Sequence, residues 1–193
     1  MNKKIKKAKA ENNFVVFRSH CKKTPTWSDV VELLYNSVKS QKQMIPEDVR
    51  NLSGTTFLYH KLDPVIYGAF DFPDTGIYKK FLKNEKKLKK LMGLNILDAN
   101  PKVIANLIGS EVRGYGIHPD DHDVVLWQCE GTVEWRIYKN FPESEIFSFT
   151  SSHEYESVIL NPGDLIFCPS GLVHQVVVSG PRASLIFGFN VVS

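Results

Sequence analysis

Two hydrophobic periods divide the chain. Behind the capping residues of Thr26-Trp27-Ser28-Asp29, the residues Val30, Val31, Leu33, Leu34 and Val38 recur at helical spacing and predict an amphipathic helix over about residues 28–40. A second helix is predicted where Tyr78, Phe81, Leu82, Leu88, Leu91 and Met92 fall on one face and Gly93 supplies a C-terminal stop. Short strands are expected at Val15–Phe17 and Thr55–His60, the second ended by Asp63-Pro64. From residue 103 the period shortens. Runs at Val103–Ile108, Val124–Cys129, Val133–Tyr138, Ile146–Phe149, Ser157–Leu160, Leu165–Cys168, Gln175–Val178 and Ala183–Val192 alternate with turn signals such as Glu130-Gly131, Asn161-Pro162-Gly163-Asp164 and Ser179-Gly180-Pro181. Closely spaced short strands of this kind indicate a sandwich or a barrel, so the protein is expected to be mainly β with flanking α. One domain is expected, organised as a basic N-terminal arm (1–25), a helical support region (26–102) and a β core (103–193), with no internal repeat and no linker.

Composition narrows this picture. With 193 residues and 42% apolar content, the chain can bury one core of ordinary size. Three cysteines, Cys21, Cys129 and Cys168, show no paired spacing, which predicts reduced thiols and a cytoplasmic setting. No apolar run approaches the roughly 18 residues of a membrane span, and the charged opening has no apolar stretch behind it, so no secretory leader is expected. Residues 1–25 carry eight Lys and Arg against the single acid Glu11, although the whole chain is only +3. That arm offers a contact for nucleic acid, an acidic partner or a membrane surface, but a frayed, solvated terminus is the simpler expectation. The same holds for Lys79, Lys80, Lys83, Lys86, Lys87, Lys89 and Lys90 on the second helix, where a solvated face is preferred over a nucleic-acid surface.

Two histidines stand in contexts that carry chemistry. In Gly116-Ile117-His118-Pro119-Asp120-Asp121-His122-Asp123, His118 and Asp120 are two apart, and in an extended segment such residues share a face. In Pro162-Gly163-Asp164 through Pro169-Ser170-Gly171-Leu172-Val173-His174, a tight turn, a strand and a second turn lead to a histidine that opens the next strand. Two histidines and one carboxylate on one face leave open positions around a six-coordinate metal, the arrangement of non-haem Fe(II) oxygenases. The order and spacing fit a double-stranded β-helix (cupin or jelly-roll) barrel. His122 is expected to be a turn residue. Trp127 and Trp135 are expected in the core or barrel wall, and Cys129 and Cys168 as buried small hydrophobes. No Ser-His-Asp or Cys-His order and no phosphate-binding glycine loop stand out.

Residues 105–190 resemble the JmjC-like, or cupin-like, branch of the Fe(II)/2-oxoglutarate oxygenases, which includes the ribosomal-protein hydroxylases. The resemblance rests on His118-Pro119-Asp120-Asp121-His122-Asp123-Val124-Val125-Leu126-Trp127-Gln128-Cys129-Glu130-Gly131, on Trp135-Arg136-Ile137-Tyr138, on the segment from Asn161 to His174, and on Phe187-Gly188-Phe189. It implies iron on His118, Asp120 and His174, 2-oxoglutarate as cosubstrate, O2 as oxidant and hydroxylation of a C–H bond. Proline between the first two ligands departs from the pattern, although it restrains His118 to an extended conformation.

A second departure concerns the cosubstrate. The branch usually places Lys or Arg after Glu-Gly to pair with the distal carboxylate, and Val133 stands there. A buried dicarboxylate needs a cation. Arg182 with Ser184 resembles the Arg-x-Ser of another branch of the superfamily, and is the replacement expected. Arg136 and Lys139 are fallbacks, with Arg136 in the outward phase. Tyr115 and Asn106 stand where further cosubstrate contacts are expected. The partners implied are a protein or small-molecule substrate, with a homodimer left open. Two rival readings remain: a metal cupin without 2-oxoglutarate (a dioxygenase, isomerase or sensor) and a non-catalytic binding module.

Overall fold

The computed structural model describes residues 1–32, 55–60, 63–69, 76–94, 102–106, 116–148 and 150–189, with strands 55–60 and 63–69 given by backbone and register. Its helices are α1 (Lys3–Ala10), α2 (helical over 27–32) and α3 (Gly76–Met92). Its strands are β1 (Val15–Phe17), β2 (Thr55–His60), β3 (Asp63–Ala69), β4 (Lys102–Asn106), β5 (Asp123–Glu130), β6 (Val133–Tyr138), β7 (Glu156–Leu160), β8 (Leu165–Cys168), β9 (Val173–Val177) and β10 (Arg182–Phe189). Among the described residues they form two antiparallel sheets, of order β1-β8-β5-β10-β4-β3-β2 and β7-β6-β9. An isolated bridge between His118 and His174 adds the segment at 118 beside β9 in the smaller sheet. Strands β4 to β10 and this segment thus make the eight-stranded barrel of a double-stranded β-helix, as the sequence predicted.

Strand alternation sorts side chains between two cores. Val125, Trp127 and Cys129 of β5, with Leu165 and Phe167 of β8 and Ala183, Leu185 and Phe187 of β10, face the helices. Leu126, Ile166 and Cys168 face the opposite way, onto Val133, Trp135 and Ile137 of β6. A strand with both faces covered has no solvent side, and Asp123 to Cys129 are accordingly buried throughout. Helix α3 lies on the outer core through Ile77, Phe81, Leu88, Leu91 and Met92, and Phe81 stacks on Phe187 at 6.1 Å. The predicted face is corrected at one point: Leu82 is exposed and Ile77 buried, because α3 starts earlier and its stripe runs through 77, 81, 84 and 88. Asn84 Nδ2 in that stripe donates to the Lys22 carbonyl at 2.9 Å, tying the N-terminal segment to the helix.

The N-terminus is also corrected. Residues 3–10 form a helix capped by Asn2, with Ile5 and Ala8 buried in the outer core; the expected frayed arm is absent here. Ile5→Ala is expected to cost about 2–5 kcal/mol, as other buried truncations do; urea unfolding checks this, and a loss below about 0.5 kcal/mol would contradict the packing. Of the Lys-rich face of α3, Lys80 pairs with Asp29 and Lys87 Nζ donates to the His20 carbonyl, while Lys79, Lys83, Lys86, Lys89 and Lys90 are exposed.

Two strand predictions differ from the structure. The strand predicted at Thr55–His60 is β2 and ends before Asp63-Pro64, but that pair opens a further strand, β3, in which Pro64 is in register with Tyr59 of β2 and pairing with β4 begins at Val65. Ile146–Phe149 is not a strand over its described residues 146–148: a 3-10 turn at Glu143–Glu145 runs into Phe147 at φ 70°. The Phe147 N–H bonds the Ile117 carbonyl at 2.7 Å and Ile117 N–H the Ser148 carbonyl at 2.9 Å, bonds that replace a ladder. The helix predicted over 28–40 is present to residue 32; its remainder lies outside the described residues.

Candidate metal centre

His118 and His174, far apart in sequence, are directly paired. Each backbone N–H donates to the other's carbonyl at 2.9 Å, which sets the two side chains on the same face. Asp120, two residues on from His118, completes the group. Its carboxylate oxygens lie 3.8 Å from His118 Nε2 and 3.6 Å from His174 Nε2. The three donor atoms are all within 4.8 Å of one another, and this is the group of three or more potential ligands found among the described residues.

The histidine tautomers are set by the backbone. His118 Nδ1 lies 3.0 Å from the Gly116 carbonyl and His174 Nδ1 3.0 Å from the Leu172 carbonyl. A carbonyl only accepts, so both Nδ1 atoms carry the proton and both Nε2 lone pairs point to the shared space. Burial lowers the His174 pKa, with His118 adding to the effect and Asp120 opposing it, which favours the neutral ring a metal requires. Gly116 is needed for this geometry: it sits at φ 83°, and a Cβ there would meet the Phe147 and Ser148 carbonyls at 2.9 Å. Gly116→Ala is expected to destabilise the fold by about 1–3 kcal/mol and to weaken metal binding together with it; a thermal melt of the variant at wild-type temperature would contradict this.

Aromatic rings flank the two histidines, while the side chains of His118 and Asp120 stay part-exposed. Trp135, 1% exposed, stacks on the His174 ring at 4.8 Å with planes 19° apart. Phe147 stands over His118 at 6.4 Å with its ring exposed. His122 is not brought into the group. It bonds Asp121 and packs on Gly188, where an added Cβ would meet the ring at 2.6 Å.

Arg182 is inside the barrel, 5% exposed, rather than in a solvated turn. Its Nη1 donates to Ser184 Oγ at 2.9 Å, and Ser184 Oγ donates to Gln128 Oε1 at 2.7 Å. Gln128 Nε2 in turn donates to the Glu130 and Gly131 carbonyls of the β5–β6 hairpin at 2.6 and 3.1 Å. Register places Arg182 and Ser184 opposite the far end of β5 from Asp123, so they lie deeper along the barrel than His118, Asp120 and His174. Val133 faces the same interior and is 1% exposed, an apolar wall at that position. Arg136 points outward, to Glu134 and over the Tyr155 ring, and Lys139 pairs with Glu156 on the surface. Asn106 is paired in register with Arg182, and Tyr115 lies outside the described residues. Sequence reasoning passed over Gln128, although one polar residue in the inward phase of Val124–Cys129 was its signal. It also passed over Asp123, whose side chain reaches Lys9 and the Ser170 N–H.

Fold and site together define a double-stranded β-helix with a two-histidine, one-carboxylate centre at one end of the barrel. The chain belongs to the JmjC domain family, whose model matches residues 78–193. It is similar to the bifunctional lysine-specific demethylase and histidyl-hydroxylase NO66 of Dictyostelium discoideum, with 38% identity over 74 residues, covering 34% of this chain and 14% of that protein. Ribosomal oxygenase 1 of Danio rerio is 24% identical over 190 residues, covering 82% of this chain and 35% of the relative. Among solved structures, the ribosomal oxygenase YcfD of Escherichia coli in complex with cobalt and 2-oxoglutarate superposes with a TM-score of 0.56 at 15% identity, over 94% of this chain and 49% of that one. The chain therefore spans 14–35% of these two curated relatives and about half of the solved neighbour. The likeness to the solved structure carries the fold.

Proposed function

We propose that this chain is an Fe(II)- and 2-oxoglutarate-dependent oxygenase that hydroxylates a C–H bond, with iron held by His118, Asp120 and His174. The observation that carries the reading is the convergence of two Nε2 lone pairs and one carboxylate, with both Nδ1 protons committed to backbone carbonyls. Two neutral imidazoles and a carboxylate suit Fe(II) and leave positions for other ligands. When bound, iron and 2-oxoglutarate supply the activation of O2, coupled to decarboxylation of the cosubstrate to succinate. The protein's residues do the rest. Arg182 offers its guanidinium to the distal carboxylate of 2-oxoglutarate, and Ser184 can turn the one proton of its hydroxyl from Gln128 to the same carboxylate. Asn106 and Tyr115 are assigned to the same cosubstrate. Trp135 walls the His174 side and excludes water there.

The relatives' names, histidyl-hydroxylase and ribosomal oxygenase, support a protein side chain as substrate, with a small molecule as the alternative. Three buried free cysteines accord with a cytoplasmic location. Among the described residues no helix is long and apolar enough to cross a membrane. Buried Val133 favours one second reading, a metal barrel that does not use 2-oxoglutarate. Anaerobic titration separates them. A visible metal-to-ligand charge-transfer band on adding Fe(II) and 2-oxoglutarate is the expected result. Iron binding without the band supports the second reading, and no iron binding leaves a non-catalytic module.

A further inference from the structure

Asp123 is an acid in an unusual place. It opens β5, three residues after Asp120, and is 1% exposed. Its Oδ1 accepts the Ser170 N–H at 3.0 Å, and its Oδ2 lies 2.7 Å from Lys9 Nζ on α1. These contacts direct it to protein groups and away from the space shared by His118, Asp120 and His174. Ser170 belongs to the turn Pro169-Ser170-Gly171, which leads directly to His174. The same turn closes on the other ligand segment: Gly171 N–H donates to the Asp120 carbonyl at 2.9 Å and Ser170 Oγ to that carbonyl at 3.4 Å. The two ligand segments, some fifty residues apart, are therefore joined at their backbones on one side by the His118–His174 pair and on the other by the 169–171 turn. The Asp123 carboxylate secures that second junction.

A carboxylate buried this deeply costs several kcal/mol unless a cation accompanies it. Lys9 supplies one, and does so from a fixed position, because Ile5 and Ala8 seat α1 in the outer core. We infer that Asp123, with Lys9 of the N-terminal helix as its counter-ion, is a positioning residue of the metal centre. It holds the 169–171 turn against the Asp120 segment and so fixes the distance between the carboxylate and His174. The N-terminal basic segment thus acts through the metal site. The inference rests on the metal reading above.

The test is Co(II) binding by calorimetry and by the cobalt d–d absorption, alongside the thermal melt of the metal-free protein. Asp123→Ala is expected to weaken Co(II) by about 10–100-fold, the usual effect of removing a group that orients ligands. It should also shift the d–d bands. Lys9→Met should weaken Co(II) by about five- to tenfold with the same direction of band shift, and it serves if Asp123→Ala does not fold. Ile77→Ala, which opens a cavity at the end of α3 opposite its backbone contact with the N-terminal segment (Asn2 N–H to the Leu91 carbonyl), should lower the melt while leaving Co(II) affinity within about twofold. Lys7→Met, at an exposed lysine beside Glu11, controls for net charge and should change neither. Equal Co(II) affinity and bands in wild type, Lys9→Met and Asp123→Ala would overturn the inference. So would a loss in Ile77→Ala matching that in Asp123→Ala. Failure of the wild type to bind Co(II) would instead remove the metal reading, and the positioning role with it.

Discussion

Asp120→Ala is expected to abolish tight Fe(II) binding, with an affinity loss of at least about a hundredfold, while the protein stays folded. Asp120 is the one anionic donor of the three, and without it two neutral imidazoles must hold a divalent cation alone. The fold should survive because the bonds Asp120 makes to the 169–171 turn come from its backbone carbonyl, which alanine retains. Its side chain is part-exposed and faces the two histidines. Unfolding free energy within about 0.5 kcal/mol of wild type is the matching expectation, as for surface changes away from special features. Fe(II) or Co(II) titration with parallel urea unfolding measures both. Undiminished metal affinity would remove Asp120 from the ligand set and leave the proposed chemistry without its centre.

The second large effect is expected at Arg182. Arg182→Met keeps an unbranched apolar stem but removes the guanidinium, and should raise the 2-oxoglutarate dissociation constant by about two orders of magnitude. A charge-assisted, bidentate contact to a buried carboxylate supports a loss of that size, since stranding one partner of a buried pair costs about 3–5 kcal/mol. Some stability should also be lost, about 1–3 kcal/mol, because Ser184 Oγ loses the donor that bonds it. Fe(II) affinity without cosubstrate should be unchanged, which distinguishes this variant from Asp120→Ala. Measuring the charge-transfer band against 2-oxoglutarate concentration reads the effect. An unaltered titration would show that the distal carboxylate is held elsewhere, and with Val133 apolar it would return weight to a barrel that does not use 2-oxoglutarate.

Much of the site was legible from local spacing. His118 and Asp120 share a face because residues two apart in an extended segment must, and the turn–strand–turn leading to His174 marked the third residue without any structure. The barrel was legible for the same reason: strand period and turn chemistry are local, and β5, β6, β8 and the start of β10 appear within a residue or two of their predicted ends, while residues 190–192 of the last predicted strand lie outside the described residues. Family resemblance added the expectation of iron and 2-oxoglutarate and exposed the missing cation at Val133.

Other features were decided by partners distant in sequence. Helix α1 has only Ile5 and Ala8 to bury in a run of lysines, so its pattern reads as a solvated tail; the outer face of the large sheet turns those two side chains into an anchor. Ile146–Phe149 has the apolar run of a strand, yet Phe147 is drawn into a left-handed conformation by bonds to Ile117. Asp123 reads as one more turn acid until Lys9 and Ser170 meet on its two oxygens.

The sequence by itself marked His118, Asp120 and His174 as candidate ligands, because strand phase and turn chemistry are properties of neighbouring residues. Tertiary structure alone decided that Arg182 lies inside the barrel and which nitrogen of each histidine is free. It also decided how the N-terminal helix is tied to the centre. Those depend on carbonyls, hydroxyls and charges brought together from segments as much as 114 residues apart, in pairings that no local pattern encodes.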